Sequence, residues 1–286
     1  MEREPSAVAS TAPITTFRRE PAAETRQVVV DVVIPVLNEA HVLERSVGIV
    51  QRFLDDHFPY SWRIVIVDNG STDGTQQIAA RLSAEDPAIV FEHLAERGRG
   101  RALRYAWSRS TADVSCYTDV DLSTELAALP KLVSAIVIDG YDLATGSRLL
   151  PASTTVRTFR REVISRAYNL LLKLVLQPSF SDAQCGFKAV SRRVVEEVVP
   201  DVEDESWFFD TELMVLAERR RFRVKDIPVC WVEDGDSRVK IVRTAWDDIK
   251  GVCRLRWRFL RGVLPVVPGV APAPERPGPR GVLGEG

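Results

Sequence analysis

Two carboxylates one residue apart, Asp119 and Asp121, follow a short apolar run in the segment 117–123 (YTDVDLS). On an extended segment residues i and i+2 point the same way, so both can reach one divalent cation at a strand's carboxyl end. Mg²⁺ or Mn²⁺ held by one or two carboxylates completes its shell with water and phosphate oxygens, an arrangement suited to a nucleoside diphosphate leaving group. Alone, such a pair reads equally as two solvated acids. Two further polar segments end apolar runs, 35–39 (PVLNE) and 68–75 (DNGSTDGT). In the second, Asp68 closes the run, Gly70 permits a tight turn, and Ser71 or Thr72 can cap a following helix whose N-terminus would suit an anionic ligand. There is no GxGxxG, since 98–103 (GRGRAL) lacks the third glycine, and no Walker A lysine loop, so dinucleotide-fold and P-loop readings lose support.

The elements that must position these residues are legible as alternating periods. Near-continuous β-branched runs at 28–36 (VVVDVVIPV) and 63–68 (RIVIVD) are the pattern of strands buried on both faces of a parallel sheet, with weaker strand patterns at 88–93, 114–118 and 142–145. Helical periodicity occupies 39–54, 75–82, 100–110 and 126–138 between them, which predicts an α/β fold: an open, mostly parallel, doubly wound sheet. In such sheets ligands bind beyond the carboxyl ends of the strands, where the polar segments fall. Residues 1–26 and the Pro/Gly-rich 263–286 are expected to be disordered tails around one domain at 27–262.

Of the 286 residues, 45% are hydrophobic and 27% charged, with 38 Lys+Arg against 40 Asp+Glu and a net charge of −2, which is ordinary globular composition and not that of a globally basic nucleic-acid binder. The four cysteines, Cys116, Cys185, Cys230 and Cys253, form no zinc-type cluster and read as free thiols of a reducing compartment. No signal-peptide core precedes the domain and no stretch of 18 apolar residues occurs, so a cytoplasmic protein with at most peripheral membrane contact is expected.

The segments IPVLNEA (34–40), VDNGSTDGT (67–75) and TDVDLS (118–123), in this order, resemble the nucleotide-sugar half of family 2 glycosyltransferases of the GT-A fold. ATGSR (144–148), SDAQCGFK (181–188), WFFDTE (207–212) and WVEDGDSR (231–238) resemble the polyprenyl- and dolichyl-phosphate sugar synthases, nearest the dolichyl-phosphate glucosyltransferase branch. The resemblance covers about 28–260 and implies inverting, metal-dependent transfer of a hexose, glucose from UDP-glucose first, to a polyprenyl phosphate. A mannosyl or N-acetylhexosaminyl donor, or a soluble acceptor, is the alternative. It implies that Pro35, Leu37, Glu39, Asp68, Gly70, Arg99, Asp119, Val120 and Asp121 meet the nucleotide sugar, with Asp119 and Asp121 also meeting Mg²⁺ or Mn²⁺. A glutamine common in relatives two residues after the second aspartate is Ser123 here.

On the acceptor side the resemblance assigns the lipid phosphate to Arg148, Arg161 and Ser165. Arginine forks match phosphate geometry bidentately, and Arg161 and Ser165, four apart on a helix, share a face. A phosphate acceptor is already mostly dianionic at neutral pH and needs no general base, so catalysis reduces to alignment and neutralisation of the departing diphosphate. Asp121, Asp182 and Gln184 are the candidate catalytic residues, while Asp182, Gln184, Asp210 and Glu212 can hold sugar hydroxyls or orient the acceptor. The segment 157–177 carries Phe159, Val163, Ala167, Leu170, Leu171, Leu174 and Val175 at helical spacing. Residues 240–261 interleave Lys240, Arg243, Lys250, Arg254, Arg256, Arg258 and Arg261 with Trp246, Trp257 and Phe259. Basic aromatic helices of this kind suit an anionic membrane surface. Relatives often append C-terminal membrane spans; with a Pro-rich tail in their place, these helices or a small membrane-anchoring protein are expected to make the contact.

Overall fold

The expected strands form, with bounds shifted by a residue or two: β1 (Val29–Val36), β2 (Ser61–Asn69), β3 (Ile89–Leu94), β4 (Val114–Thr118) and β5 (Leu143–Ser147). Between them lie α1 (Leu43–His57), α2 (Thr75–Glu85), α3 (Arg99–Arg109) and, after a short 3-10 turn, α4 (Leu129–Val137). This is a computed structural model, and it describes residues 27–156, 159–232 and 241–262; the two expected tails lie outside the described residues. The second half adds β6 (Thr154–Val156), α5 (Phe159–Val175), β7 (Phe187–Ser191), α6 (Arg192–Glu197), α7 (Phe209–Arg219), β8 (Val224–Pro228), β9 (Cys230–Val232) and α8 (Ile241–Leu260).

The seven-stranded sheet runs β3-β2-β1-β4-β7-β5-β8, and β6 pairs with β9 in a separate ribbon. Alternate residues of β1 feed two cores: Val30, Val32, Ile34 and Val36 pack under α1 and α4, while Val33 faces α3 and the C-terminal helices. The one charge in that run, buried Asp31, sits opposite Arg63, which donates from Nε and Nη2 at 2.8 and 2.9 Å, and accepts from Ser110 Oγ at 2.6 Å. A charge in a two-faced strand survives burial only with such partners.

Sequence periodicity misses β7, which inserts between β4 and β5 antiparallel to both. Its FKAVS reads as too short and too polar for a central strand because Lys188 interrupts it, yet Lys188 is fully buried. The reversal has a positional consequence. It brings the loop 181–186, at the amino end of β7, to the same sheet edge as the carboxyl ends of the parallel strands, with Phe187 opposite Thr118.

The helix expected at 39–54 begins later, at Leu43: Asn38 adopts φ 57°, and the amides of Glu39 and Ala40 donate across to Thr75 Oγ1 and Asp73 of the other strand-end loop. The capping expectation is also corrected. Gly74 is the N-cap of α2; Ser71 Oγ accepts from the Asn38 amide at 2.8 Å, Thr72 N donates to Asn38 Oδ1 at 2.8 Å, and Asp73 accepts from the Thr75 amide. The hydroxyls join one strand-end loop to the other, which is why both motifs are needed.

Helix α8 is fastened from its inner face. Arg254 and Arg258 donate to the two oxygens of fully buried Glu212 at 2.6 and 2.8 Å, and Gly251 lies against Phe208 where a Cβ would collide with the ring. Not all the basic residues of this helix are therefore available to a membrane surface: residues 248, 251, 254 and 258 repeat at helical spacing toward the protein. Removing one partner from a buried ion cluster leaves uncompensated charge, so Glu212→Ala is expected to destabilise the fold by about 3–5 kcal/mol. Thermal or denaturant unfolding checks this; a loss under about 1 kcal/mol would contradict it.

Candidate active site at the sheet edge

Asp119 does not lie on an extended segment as expected. The strand ends at Thr118, and Asp119 and Asp121 occupy a turn closed by Leu122 N to Asp119 O at 3.2 Å, with Leu122 at φ 52°. A non-glycine residue there costs about 1–2 kcal/mol, a strain the surrounding contacts must offset. They include Ser123 N donating to Asp121 Oδ1 at 3.0 Å and two backbone bonds from this loop to β9: Glu125 N to Cys230 O, and Val232 N to Ser123 O. The WV motif is thus the neighbour of the paired aspartates; its remainder, 233–238, lies outside the described residues.

Behind the turn is a buried charge network. Arg99, 11% exposed, donates to Asp119 Oδ1 from Nε and Nη2 at 3.1 and 2.8 Å and to Asp210 Oδ2 from Nη1 at 2.6 Å. Asp210 also accepts from Tyr117 Oη at 2.7 Å and has Lys188 Nζ at 3.6 Å. The Arg99 guanidinium lies 4.8 Å from the Tyr117 ring centre and 5.1 Å from that of half-exposed Trp207. Burial by itself would raise the Asp210 pKa, but Lys188, Arg99 and the Tyr117 hydroxyl outweigh it and hold the carboxyl below its ordinary value. Burial likewise works against the charge on Arg99, and Asp119, Tyr117 and Asp210 together outweigh it and hold its pKa above the ordinary value.

On the other side of the 181–186 loop, Arg148 forks onto Asp182, from Nε at 2.7 Å and Nη2 at 2.9 Å, and lies 5.5 Å from the Trp231 ring centre. Burial pushes the Asp182 carboxyl up, and Arg148 more than reverses this, leaving it below its ordinary value. Asp182 therefore holds Arg148 as a fixed cation and is not poised as a base. Gln184 is half-buried in this loop, and Gly186 touches Asp119 so closely that a Cβ would overlap its carboxylate. The loop spans from Arg148 to the paired aspartates.

The base-side residues are placed as follows. Pro35 ends β1 beside buried Val36, Leu37 and Glu39 are half-buried in the loop after it, and Gly70 takes φ 86° with its Cα facing the Ala95 carbonyl. Asp68 is fully buried, with Oδ1 accepting from Ser71 N at 3.2 Å and Oδ2 bonded to His93 Nδ1 at 2.8 Å, while His93 itself is 43% exposed. Val120 is buried in the turn. Sequence reasoning overlooked His93, Tyr117 and Lys188; the signal for the last was an interrupted apolar run that only a buried counter-charge explains.

Arg161 lies on the first turn of α5 and its side chain is outside the described part of the structure. Ser165, one turn on, has its Oγ buried with no hydrogen-bond partner among the described residues. Glu212, expected near the substrate, is placed instead under α8. Asp119 and Asp121 are hard oxygen donors in one turn, and among the described residues no group of three or more His, Cys, Asp or Glu gathers. Two carboxylates with the rest of the shell left to water and phosphate is a set that fits Mg²⁺ or Mn²⁺.

Residues 31–199 match the model of glycosyl transferase family 2. The chain belongs to glycosyl transferase family 2. It is 40% identical over 246 residues to glycosyltransferase AglD of Haloferax volcanii, across 85% of this chain and 39% of that one, so it spans well under half of that relative's length. It is 27% identical to the dolichyl-phosphate beta-glucosyltransferase of Saccharomyces cerevisiae, across 84% of this chain and 78% of that one. Among solved structures, the UDP complex of glucosyl-3-phosphoglycerate synthase from Mycobacterium tuberculosis superposes with a TM-score of 0.62 at 18% identity, covering 81% of each chain. The GT-A fold expected of this glycosyltransferase is borne out.

Stability at low pH should report the charge network. A carboxyl whose folded pKa lies below its ordinary value contributes stability above that value and loses it as pH falls through the folded pKa. Arg99→Met removes one of the charges holding Asp210 down, so acid unfolding, followed by near-UV circular dichroism, is expected to begin at higher pH than in the parent. An unchanged acid midpoint would show that the network does not set the protonation of Asp210.

Proposed function

We propose that this family 2 glycosyltransferase transfers glucose from UDP-glucose to a polyprenyl or dolichyl phosphate, with inversion at the anomeric carbon. The observation that carries the reading is the placement of the QCGF loop between the paired aspartates and Arg148, in a chain whose yeast relative is named a dolichyl-phosphate beta-glucosyltransferase. The nucleotide sugar would lie over the carboxyl ends of β1, β2 and β4, where ligands of such sheets bind. Asp119 and Asp121 would hold Mg²⁺ or Mn²⁺, which when bound would neutralise the departing diphosphate. Arg99 keeps Asp119 in place, Arg148 adds fixed positive charge on the acceptor side, and the Ser165 hydroxyl, which has no hydrogen-bond partner among the described residues, offers a donor to a phosphate oxygen. The acceptor phosphate oxygen attacks the anomeric carbon as the bond to the diphosphate breaks, and no base is required.

A lipid acceptor implies a lipid surface. No helix among the described residues is long and apolar enough to cross a membrane. The face of α5 with Val163, Ala167, Leu170 and Leu174 is turned outward, while Tyr168, Leu172 and Leu176 pack inward. On α8, Trp246, Ile249, Trp257 and Leu260 are exposed, at 59, 39, 55 and 65%, with Lys250 and Arg261 beside the two tryptophan rings and Arg256 exposed between them. An apolar stripe flanked by lysine and arginine is complementary to an anionic bilayer surface at its headgroup boundary, on the cytoplasmic face of a membrane.

Transfer of labelled sugar from UDP-glucose, GDP-mannose and UDP-N-acetylhexosamines to polyprenyl phosphate tests the reaction. Lipid-linked glucose is expected, abolished by EDTA and reduced about 100-fold or more by Asp121→Asn. Product only on a soluble acceptor would overturn the lipid-phosphate reading. Co-sedimentation with vesicles is expected to be stronger for anionic than for neutral lipid and to weaken in Trp246→Ala and Trp257→Ala. Equal sedimentation by all three proteins would remove these helices from the membrane contact.

A further inference from the structure

Asp248 is the charged residue of α8 that faces the protein and has no cation to meet it in the observed contacts. Its side chain is 2% exposed. Oδ2 accepts from Gln184 Nε2 at 2.7 Å, and Oδ1 is buried with no hydrogen-bond partner among the described residues. A carboxylate normally enters such a place only with a cation or several donors, because burying an uncompensated charge is costly. The neighbouring arginines of α8 are turned elsewhere, Arg254 onto Glu212 and Asp204 and Arg258 onto Glu212. Among the described residues, the groups acting on Asp248 are Asp204 from the segment before α7, Asp247 on its own helix, Tyr168 on α5 and the Gln184 amide. Burial and then Asp204 push its pKa up to about 7, with the Gln184 bond opposing them.

Gln184 is clamped at two ends. Its backbone amide donates to Asp182 Oδ1 at 3.2 Å, the carboxylate that holds Arg148, and its side chain reaches Asp248. An ionised carboxylate can only accept, so the amide must meet it with Nε2, and the carbonyl oxygen Oε1 is then the group left for a ligand. The loop that carries it runs from Arg148 to the Asp119 carboxylate.

We propose that Asp248 is a positioning residue: ionised, it holds the Gln184 amide so that Oε1 is presented as acceptor to a hydroxyl of the transferred sugar. Protonated, or replaced by asparagine, residue 248 carries a donor as well as an acceptor, so it no longer distinguishes Nε2 from Oε1 and Oε1 is no longer held for the sugar. The proposal rests on the reading of this edge as a nucleotide-sugar site. It assigns Asp248 no contact with substrate, and it ties α8 to the site through one hydrogen bond.

The test compares parent, Gln184→Ala, Asp248→Asn and the double variant. Affinities for UDP and UDP-glucose are measured by calorimetry with Mn²⁺ from pH 5.5 to 8.5, alongside transfer to polyprenyl phosphate. The gain in affinity that the glucosyl group adds to UDP is expected to fall about tenfold in each single variant, the factor that one hydrogen bond of ordinary strength controls. UDP affinity itself should not move, and the double variant should be no worse than Gln184→Ala. In the parent this gain should diminish below about pH 7, and the acid limb should vanish in Gln184→Ala. An unchanged gain in a folded Asp248→Asn, or multiplicative losses in the double variant, would overturn the proposal. If Asp248→Asn does not fold, persistence of the acid limb in Gln184→Ala overturns it equally. Sugar-dependent binding without any lipid product would instead count against the proposed acceptor and leave the role of Asp248 standing.

Discussion

A guanidinium withdrawn from water must have its charge met on every side, and that requirement at Arg99 organises this sheet edge. Arg99 comes from the start of α3, Asp119 from the end of β4 and Asp210 from the start of α7, while Lys188 arrives on β7. Each alone would be an expensive buried charge; together they alternate in sign, with the Tyr117 hydroxyl bonded to Asp210 and Lys188. The turn bearing the paired aspartates is placed by this network, and the left-handed Leu122 is tolerated because the turn is also tied to β9.

The antiparallel strand β7 is the second organising choice. In a wholly parallel sheet the loop 181–186 would fall at the opposite edge, far from the carboxyl ends of the strands where ligands of such sheets bind. Reversal puts Asp182, Gln184 and Gly186 between Arg148 and Asp119, and makes a central strand of a segment with a buried lysine. Lys188 is stabilised there by the Cys185 carbonyl at 2.6 Å and by Asp210.

Helix α8 has two faces with different tasks. The inward one carries Asp248, Gly251, Arg254 and Arg258 onto Gln184, Phe208 and Glu212, all of them in motifs that surround the site. The outward one carries the exposed tryptophans. With the Gln184 loop on one side and an apolar, basic stripe on the other, the helix would hold the proposed site beside a lipid surface. Basic residues counted along a helix do not reveal which of them meet a buried glutamate, as Arg254 and Arg258 do.

The sequence by itself determined the parallel half of the sheet, the strand-end motifs and the family, because β-branched runs, helical periods and turn residues are local signals carried by neighbouring positions. It also drew Asp119 and Asp121 to the carboxyl end of a strand, on an extended segment where the structure has a turn, and singled out Asp182 and Gln184 by motif without placing them in the sheet. Only the tertiary structure decided the direction of β7, the pairing of Arg148 with Asp182, the burial of Asp68 behind His93 and the inward turn of Arg254 and Arg258. These are contacts between residues 25 to 77 positions apart, and their sign and distance follow from how the layers close on one another, which no local pattern encodes.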